Sequence, residues 1–429
     1  MGANLHLGLG IGWRPELALA IDRRAQQQRD LGFVELLAEN CDPSRPLPAP
    51  LRRLRALGVR IVVHSVGLSL GGGERIDQRR LDRLARVAEW AGAAVVSDHV
   101  AFVRAGGRGT GHLLPVPRTE VSLAVLCENV TRTQRALPVP LALENIAPLF
   151  DWPDATMDEP AFLDRLTAAT GTRLIVDVSN LHASARNLGV DARAWLARVP
   201  LDRIAYVHVG GGVARDGLWH DTHAHRIPRE ALSLLRELAR RAPLPGAMLE
   251  RDDRFPEETE INGELDAIAA AMQPGDGPET ERRRQEPGGE ESGRQLRWEP
   301  SKGSQTLPRW YAPSKARRLP TRYRAPVSSF VPPAAATLTT TLAAAQARLV
   351  GALVAGEPHP PGFDARRLAI ESEMLIAKRL RVAARACPGL DLEGALRDHF
   401  TRWARANPPP DDGCGTTDGR NFAAGLLVD

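Results

Sequence analysis

A chain of 429 residues, 43% apolar and 25% charged, can hold one large domain and a smaller one, and its composition is that of a soluble globular protein. Its net charge of +4 is mild for that length and gathers into no basic stripe, which argues against nucleic acid as a partner, and no apolar run reaches the length of a membrane span. The N-terminus lacks the basic region and apolar core of a signal peptide, and Cys41, Cys127, Cys387 and Cys414 show no Cys-x-x-Cys spacing, so reduced thiols in the cytoplasm are expected.

Strand and helix patterns alternate from the start. Residues 5–11 form a Gly-punctuated apolar run, and 15–29 carry Leu17, Ile21 and Ala25 at helical spacing. Further strands are predicted over 33–38, 59–63, 93–97, 139–143, 172–178, 203–209 and 246–249. Helices are predicted between them at 51–57, 77–90, 120–135, 160–169, 192–199 and 228–241, and one at 261–271 closes the set, with residues 101–117 as a longer connection. Eight strand-helix units in roughly 270 residues predict a (β/α)8 TIM barrel over residues 1–273. An open doubly wound sheet would carry a phosphate fingerprint after its first strand, and Gly8-Leu-Gly10-Ile-Gly12 has the wrong spacing for one. Gly71-Gly72-Gly73 is followed by no Gly-Lys-Ser/Thr and reads as a flexible loop.

At residue 274 the composition shifts to Pro, Gly, Glu and Arg, which predicts a disordered linker over 274–335. Its aromatics, Trp298, Trp310, Tyr311, Tyr323 and Phe330, read more readily as docking points or as part of a solvated linker than as a grip on a nucleic acid or an acidic peptide. Amphipathic spacing at 339–355, 364–386 and 392–406 predicts a small all-α domain over 336–407, and the Pro- and Gly-rich stretch 408–429 is expected to be a disordered tail.

In such a barrel the active site lies where the strands end. The predicted strands end on Glu39, His64, His99, Glu144, Asp177, His208 and Glu250, and the loop after His208 adds Asp221 and His223. Each has an ordinary alternative: Asp177 would make a helix cap, and a lone strand-end histidine is usually a satisfied core residue. Together they point at one axis, where several carboxylates would repel unless a cation held them. The set exceeds the needs of one ion, so two or three are expected; His and carboxylate ligation without thiolate suits iron, manganese or zinc. Asn180 is a further candidate oxygen ligand, His182 is weaker, and His112, His220 and His225 read as loop residues.

Across residues 5–272 the chain resembles the multinuclear non-haem iron-dependent oxidative enzymes, the family of the methanobactin-biosynthesis iron oxidase. The resemblance rests on His64-Ser-Val-Gly-Leu-Ser-Leu-Gly, Ser97-Asp-His99, Leu113-Leu-Pro-Val-Pro, Leu143-Glu-Asn-Ile, Asp177-Val-Ser-Asn180, His208-Val-Gly-Gly, Asp221-Thr-His223 and Leu249-Glu-Arg-Asp. It implies a barrel that binds two or three irons, as Fe(II) and Fe(III), and uses O2 to modify a residue, often Cys or Asp, of a ribosomally made precursor peptide. It also implies that His64, His99, Glu144, Asp177, Asn180, His208, Asp221, His223 and Glu250 are the iron ligands. A separate partner commonly presents the peptide in this family, a part the fused helical domain could play in cis. Two positions depart from the pattern: Gly212 stands where a second His is frequent, and Ser179-Asn180 where Asn-Asn is. The same ligand order resembles the wider xylose-isomerase-like barrels, including zinc-dependent apurinic endonucleases, which implies a zinc- or manganese-dependent hydrolase or isomerase as the alternative.

Overall fold

The computed structural model describes residues 5–28, 30–273, 335–392, 394–409 and 415–426. The predicted linker, apart from residue 335, lies outside the described residues. The strands are β1 (Gly8–Gly12), β2 (Leu31–Leu37), β3 (Arg60–His64), β4 (Val96–His99), β5 (Ala101–Ala105) and β6 (Arg108–Pro115). They continue with β7 (Leu141–Glu144), β8 (Arg173–Asp177), β9 (Ile204–Val209), β10 (Val213–Arg215), β11 (Leu218–His220) and β12 (Gly246–Leu249). Eight of these close into a parallel barrel in the order β1-β2-β3-β4-β7-β8-β9-β12, as the alternating pattern predicts.

The remaining four strands make two antiparallel hairpins on the connections after β4 and β9, where the sequence pattern predicts no strand. Their turns are Gly106-Gly107 (φ 62° and 71°) and Asp216-Gly217 (φ 55° and 78°), the left-handed pairs that match strand twist in a two-residue hairpin.

Period-two alternation sets what fills the barrel. Phe33, Val62, Ala142, Ile175, Tyr206 and Met248 form a buried apolar cluster inside it. Each lies two residues before Glu35, His64, Glu144, Asp177, His208 or Glu250, and therefore on the same inward face one layer lower. Below the polar residues the lumen is thus a packed apolar floor.

The outer helices are α1 (Ala18–Gln27), α2 (Ala49–Ala56), α3 (Gln78–Ala91), α4 (Glu120–Ala136) and α5 (Glu159–Thr170). After them come α6 (Val178–Leu188), α7 (Ala192–Arg198), α8 (Arg229–Arg241) and α9 (Glu258–Met272). Asp77, Thr119, Asp158, Asp177 and Asp191 cap helix N-termini with their side chains. Helix α6 lies between predicted elements; its first residues are buried against the lumen instead of following an amphipathic pattern.

The C-terminal region comprises α10 (Ala335–Ala355), α11 (Ala365–Ala386), α12 (Arg397–Ala406) and α13 (Gly415–Leu426). Leu349, Val350, Leu353, Val354, Leu368 and Leu375 join the main core of the barrel, so α10 and the start of α11 pack directly onto it. A second cluster of Ile376, Leu380, Ala383, Leu392, Phe400, Ala404 and Phe422 holds the later helices together. The triple-glycine loop is where α10 docks: Gln346 donates to the Gly71 carbonyl (2.9 Å) and accepts from the Gly73 amide (2.7 Å). That loop is buried and hydrogen-bonded, and a Cβ on Gly73 would lie 2.6 Å from the Ala343 nitrogen, so the glycine serves close packing.

The expectation of an unstructured tail over 408–429 does not hold for residues 415–426. Three glycines and no amphipathic pattern hide this helix from a local reading. It forms through tertiary contacts: Phe422 packs against Phe400 and Trp403, and Asp418 accepts two hydrogen bonds from buried Arg379 (2.9 and 2.8 Å).

Candidate metal centre

The parallel registers bring His99 beside Glu144 and Asp177 beside His208 on neighbouring strands. From there the side chains converge. Glu144 Oε2 lies 3.7 Å from His64 Nε2, 3.5 Å from His99 Nε2 and 3.2 Å from His208 Nδ1. The same His208 nitrogen is 3.1 Å from Glu250 Oε2. On the other side His223 Nε2 is 2.5 Å from Asp221 Oδ2 and 3.9 Å from Asp177 Oδ2, and its Nδ1 is 3.3 Å from Glu250 Oε1.

Four groups with ligand atoms within 4.8 Å of one another could hold a metal ion: His64-His99-Glu144, Glu144-Asp177-His208-Glu250, Asp177-Asp221-His223 and His223-Glu250-Asp252. Glu144 belongs to two adjoining groups and Asp177 to two, an arrangement suited to bridged ions. The imidazoles are oriented from behind. Ser97 Oγ meets His64 Nδ1 at 2.8 Å, and Glu35 Oε2 meets His208 Nε2 at 3.0 Å while accepting from the Tyr206 hydroxyl at 2.6 Å. Each ring therefore turns its other nitrogen to the centre.

Asp177 performs both parts that its position allowed. Oδ1 caps α6, accepting from the Ser179 and Asn180 amides (2.6 and 2.8 Å), while Oδ2 is buried without a hydrogen-bond partner. It has company: Glu144 Oε2, His99 Nδ1, His208 Nδ1, Asp221 Oδ1, His223 Nε2 and Glu250 Oε2 also lack partners among the described residues. So many orphaned polar atoms on the residues of these four groups are what a cation-binding site shows, and they fit a metal ion.

The electrostatics agree. Burial, with Asp221 and Glu144 nearby, raises the Asp177 carboxyl well above its ordinary 3.8. For Glu144 burial acts upward, but His208, His99 and His64 more than offset it and bring the group down to about 2. Burial depresses the His208 imidazole, yet Glu144, Glu35 and Glu250 carry it well above 6.5. Without a cation the carboxylates are balanced by charged imidazoles and, at Asp252, by Arg14; with one, those rings can be neutral ligands.

Of the residues singled out from sequence, His64, His99, Glu144, Asp177, His208, Asp221, His223 and Glu250 are brought into these groups. Asn180 stands at their edge, donating to Glu144 Oε1 (3.3 Å) and the Asn145 carbonyl (2.9 Å). Glu39 is not brought in: it lies on a 3-10 turn beyond β2, exposed, accepting from Ser65 and the Val66 amide. The inward carboxylate of β2 is Glu35, which the residue at the strand's end does not reveal; a charge two residues after inward Phe33 is its signal in the sequence. Asp252, three positions past Leu249, was also missed. His182 packs edge-on to Trp219, and His220 bonds the Arg215 carbonyl, so neither enters a group. At Gly212 a Cβ would lie 2.4 Å from the His220 carbonyl oxygen, so this loop as folded has no room for the histidine frequent there.

Residues 8–273 match the family described as RiPP precursor modification enzyme MbnB/TglH/ChrH. The chain belongs to this family. Residues 343–428 match a second family, the SCO6045-like C-terminal domain. A UPF0276 protein of Streptomyces avermitilis is 43% identical over 436 residues, covering 98% of this chain and 88% of that protein. A UPF0276 protein of Chromobacterium violaceum is 35% identical over 265 residues, which is 61% of this chain but 94% of that relative. Among solved structures, an L-ribulose 3-epimerase is 16% identical with a TM-score of 0.42, covering 65% of this chain and 96% of the epimerase. The family is one of enzymes acting on precursors of ribosomally synthesised, post-translationally modified peptides, and no described helix is long and apolar enough to cross a membrane.

Proposed function

We propose that this protein uses two or three iron ions and O2 to oxidise a residue, Cys or Asp, of a ribosomally made precursor peptide. The observation that carries this reading is the adjoining set of His and carboxylate groups, free of thiolate and joined through Glu144 and Asp177, in a chain of this family. Bound there, iron would supply redox chemistry and the activation of oxygen. His64, His99, Glu144, Asp177, His208 and Glu250 would hold the reacting centre, and Asp221 and His223, with Asn180 at the edge, its outer side. Glu35 and Ser97 keep two of the imidazoles aimed, and the apolar floor of Phe33, Val62, Ile175 and Met248 keeps water from entering from below.

Anaerobically purified protein from iron-replete cells tests this by metal analysis and Mössbauer spectroscopy. Two or three magnetically coupled irons per chain, with peptide turnover that stops without O2, is the expected result. Zinc or manganese in place of iron, or turnover indifferent to oxygen, would move the protein to metal-dependent hydrolysis or isomerisation.

A further inference from the structure

Helix α11 crosses the loops that surround the candidate centre. Near its start Arg367 donates to the Leu149 carbonyl (2.7 Å), after β7, and to the Asn187 carbonyl (2.6 Å), at the end of α6. Near its end Arg385 pairs with Asp253 (2.7 Å), after β12. Arg367, Glu371, Lys378 and Arg385 fall within about 40° of one another around the helix and span about 27 Å along it, so one face meets both sides. Glu371 and Lys378 lie between the two anchors.

Glu371 is only 2% exposed, and its Oε1 has no hydrogen-bond partner among the described residues. His112 Nε2, on β6, lies 3.9 Å from that oxygen, too far for a hydrogen bond. Glu371 belongs to none of the four metal groups, so a metal ion does not account for the vacancy. The charged group acting on it is Lys378, solvent-exposed and within electrostatic reach of Asp252, while His112 is within reach of His99. A buried carboxyl left unbonded costs free energy unless a donor arrives.

We propose that Glu371 is a positioning residue that accepts a hydrogen bond from a backbone N–H of the peptide substrate, so that the C-terminal helices supply one wall of the reaction chamber. This rests on the peptide reading above. The Chromobacterium relative aligns over 61% of this chain and 94% of its own length, whereas the Streptomyces relative aligns over 98% of this chain, so the wall would be a feature of the longer chains.

The test is a selection from an mRNA-displayed library of random dodecapeptides on the full-length, iron-loaded protein under anaerobic conditions, keeping peptides whose binding requires the metal. Their Kd is then measured by fluorescence anisotropy on wild type, Glu371→Met, which keeps volume but no acceptor, and Glu371→Gln, which keeps one. The expected result is binding weakened about 10-fold in E371M and restored to within about 3-fold of wild type in E371Q, with the electron paramagnetic resonance signal unchanged in both. Wild-type affinity in E371M would overturn the proposal, as would equal weakening in both variants. Should wild type yield no metal-dependent peptide, the peptide reading itself fails, and this inference with it.

Discussion

Glu144 is the residue on which the two innermost groups depend, since its Oε2 faces three imidazoles at 3.2 to 3.7 Å. Glu144→Gln removes the shared charge without changing shape, and is expected to lower bound metal by at least one ion per chain in plasma mass spectrometry, leaving the fold intact by circular dichroism. Glu371 gives a pH effect of opposite origin. Burial raises its carboxyl from 4.5 to about 7, Lys378 pulling the other way. Between those values the unfolded chain has released a proton that the folded chain retains, so this group's contribution to stability is full below pH 4.5 and is lost as pH rises towards 7. The loss is of order 3 kcal/mol. Urea unfolding of wild type and E371Q across pH 4.5–7 should show the variant gaining relative stability with pH; parallel curves would refute the assignment.

The last helix shows how an element can exist only through its neighbours. Residues 415–426 have poor intrinsic helix propensity, and their place depends on Phe422 in an aromatic cluster and on Asp418 facing Arg379, whose side chain is 6% exposed. Asp418→Ala leaves that guanidinium buried without its carboxylate, which is expected to cost about 3–5 kcal/mol and to speed amide hydrogen exchange over 415–426 before the barrel helices are affected. Unchanged exchange there would mean that the aromatic cluster alone holds the helix. The hairpins make the complementary case: Asp216-Gly217 was a legible turn signal, overlooked because the short strands around it carry no hydrophobic alternation.

At the scale of the whole molecule, the buried carboxylates and imidazoles at the barrel mouth are tied energetically to whatever fills the space between them. A metal ion bound only by the folded chain should stabilise it by about 2.7 kcal/mol at a hundredfold excess over Kd. Loading and then chelating the protein is therefore expected to raise and then lower Tm, with the chelated form most sensitive to pH because protonated imidazoles, His208 and His223 among them, then balance much of its carboxylate charge. A Tm indifferent to iron, zinc and manganese would argue that these groups pair as charged residues and hold no metal.

Much of this was written locally. Strand and helix periods, their eightfold alternation and the residue at each strand's end follow from side-chain spacing along the chain, and so place six of the convergent side chains, with Asp221 and His223 added by the loop after His208. Glu35 carried a signal in its spacing from Phe33, but its contact with His208 needed the closed barrel, and Asp252 needed the loop that brings it to His223. The last helix, the seat of α10 on Gly71-Gly72-Gly73 and the placement of Glu371 across from His112 were decided by tertiary structure alone. They join residues far apart in sequence, where burial and partner geometry outweigh any local preference.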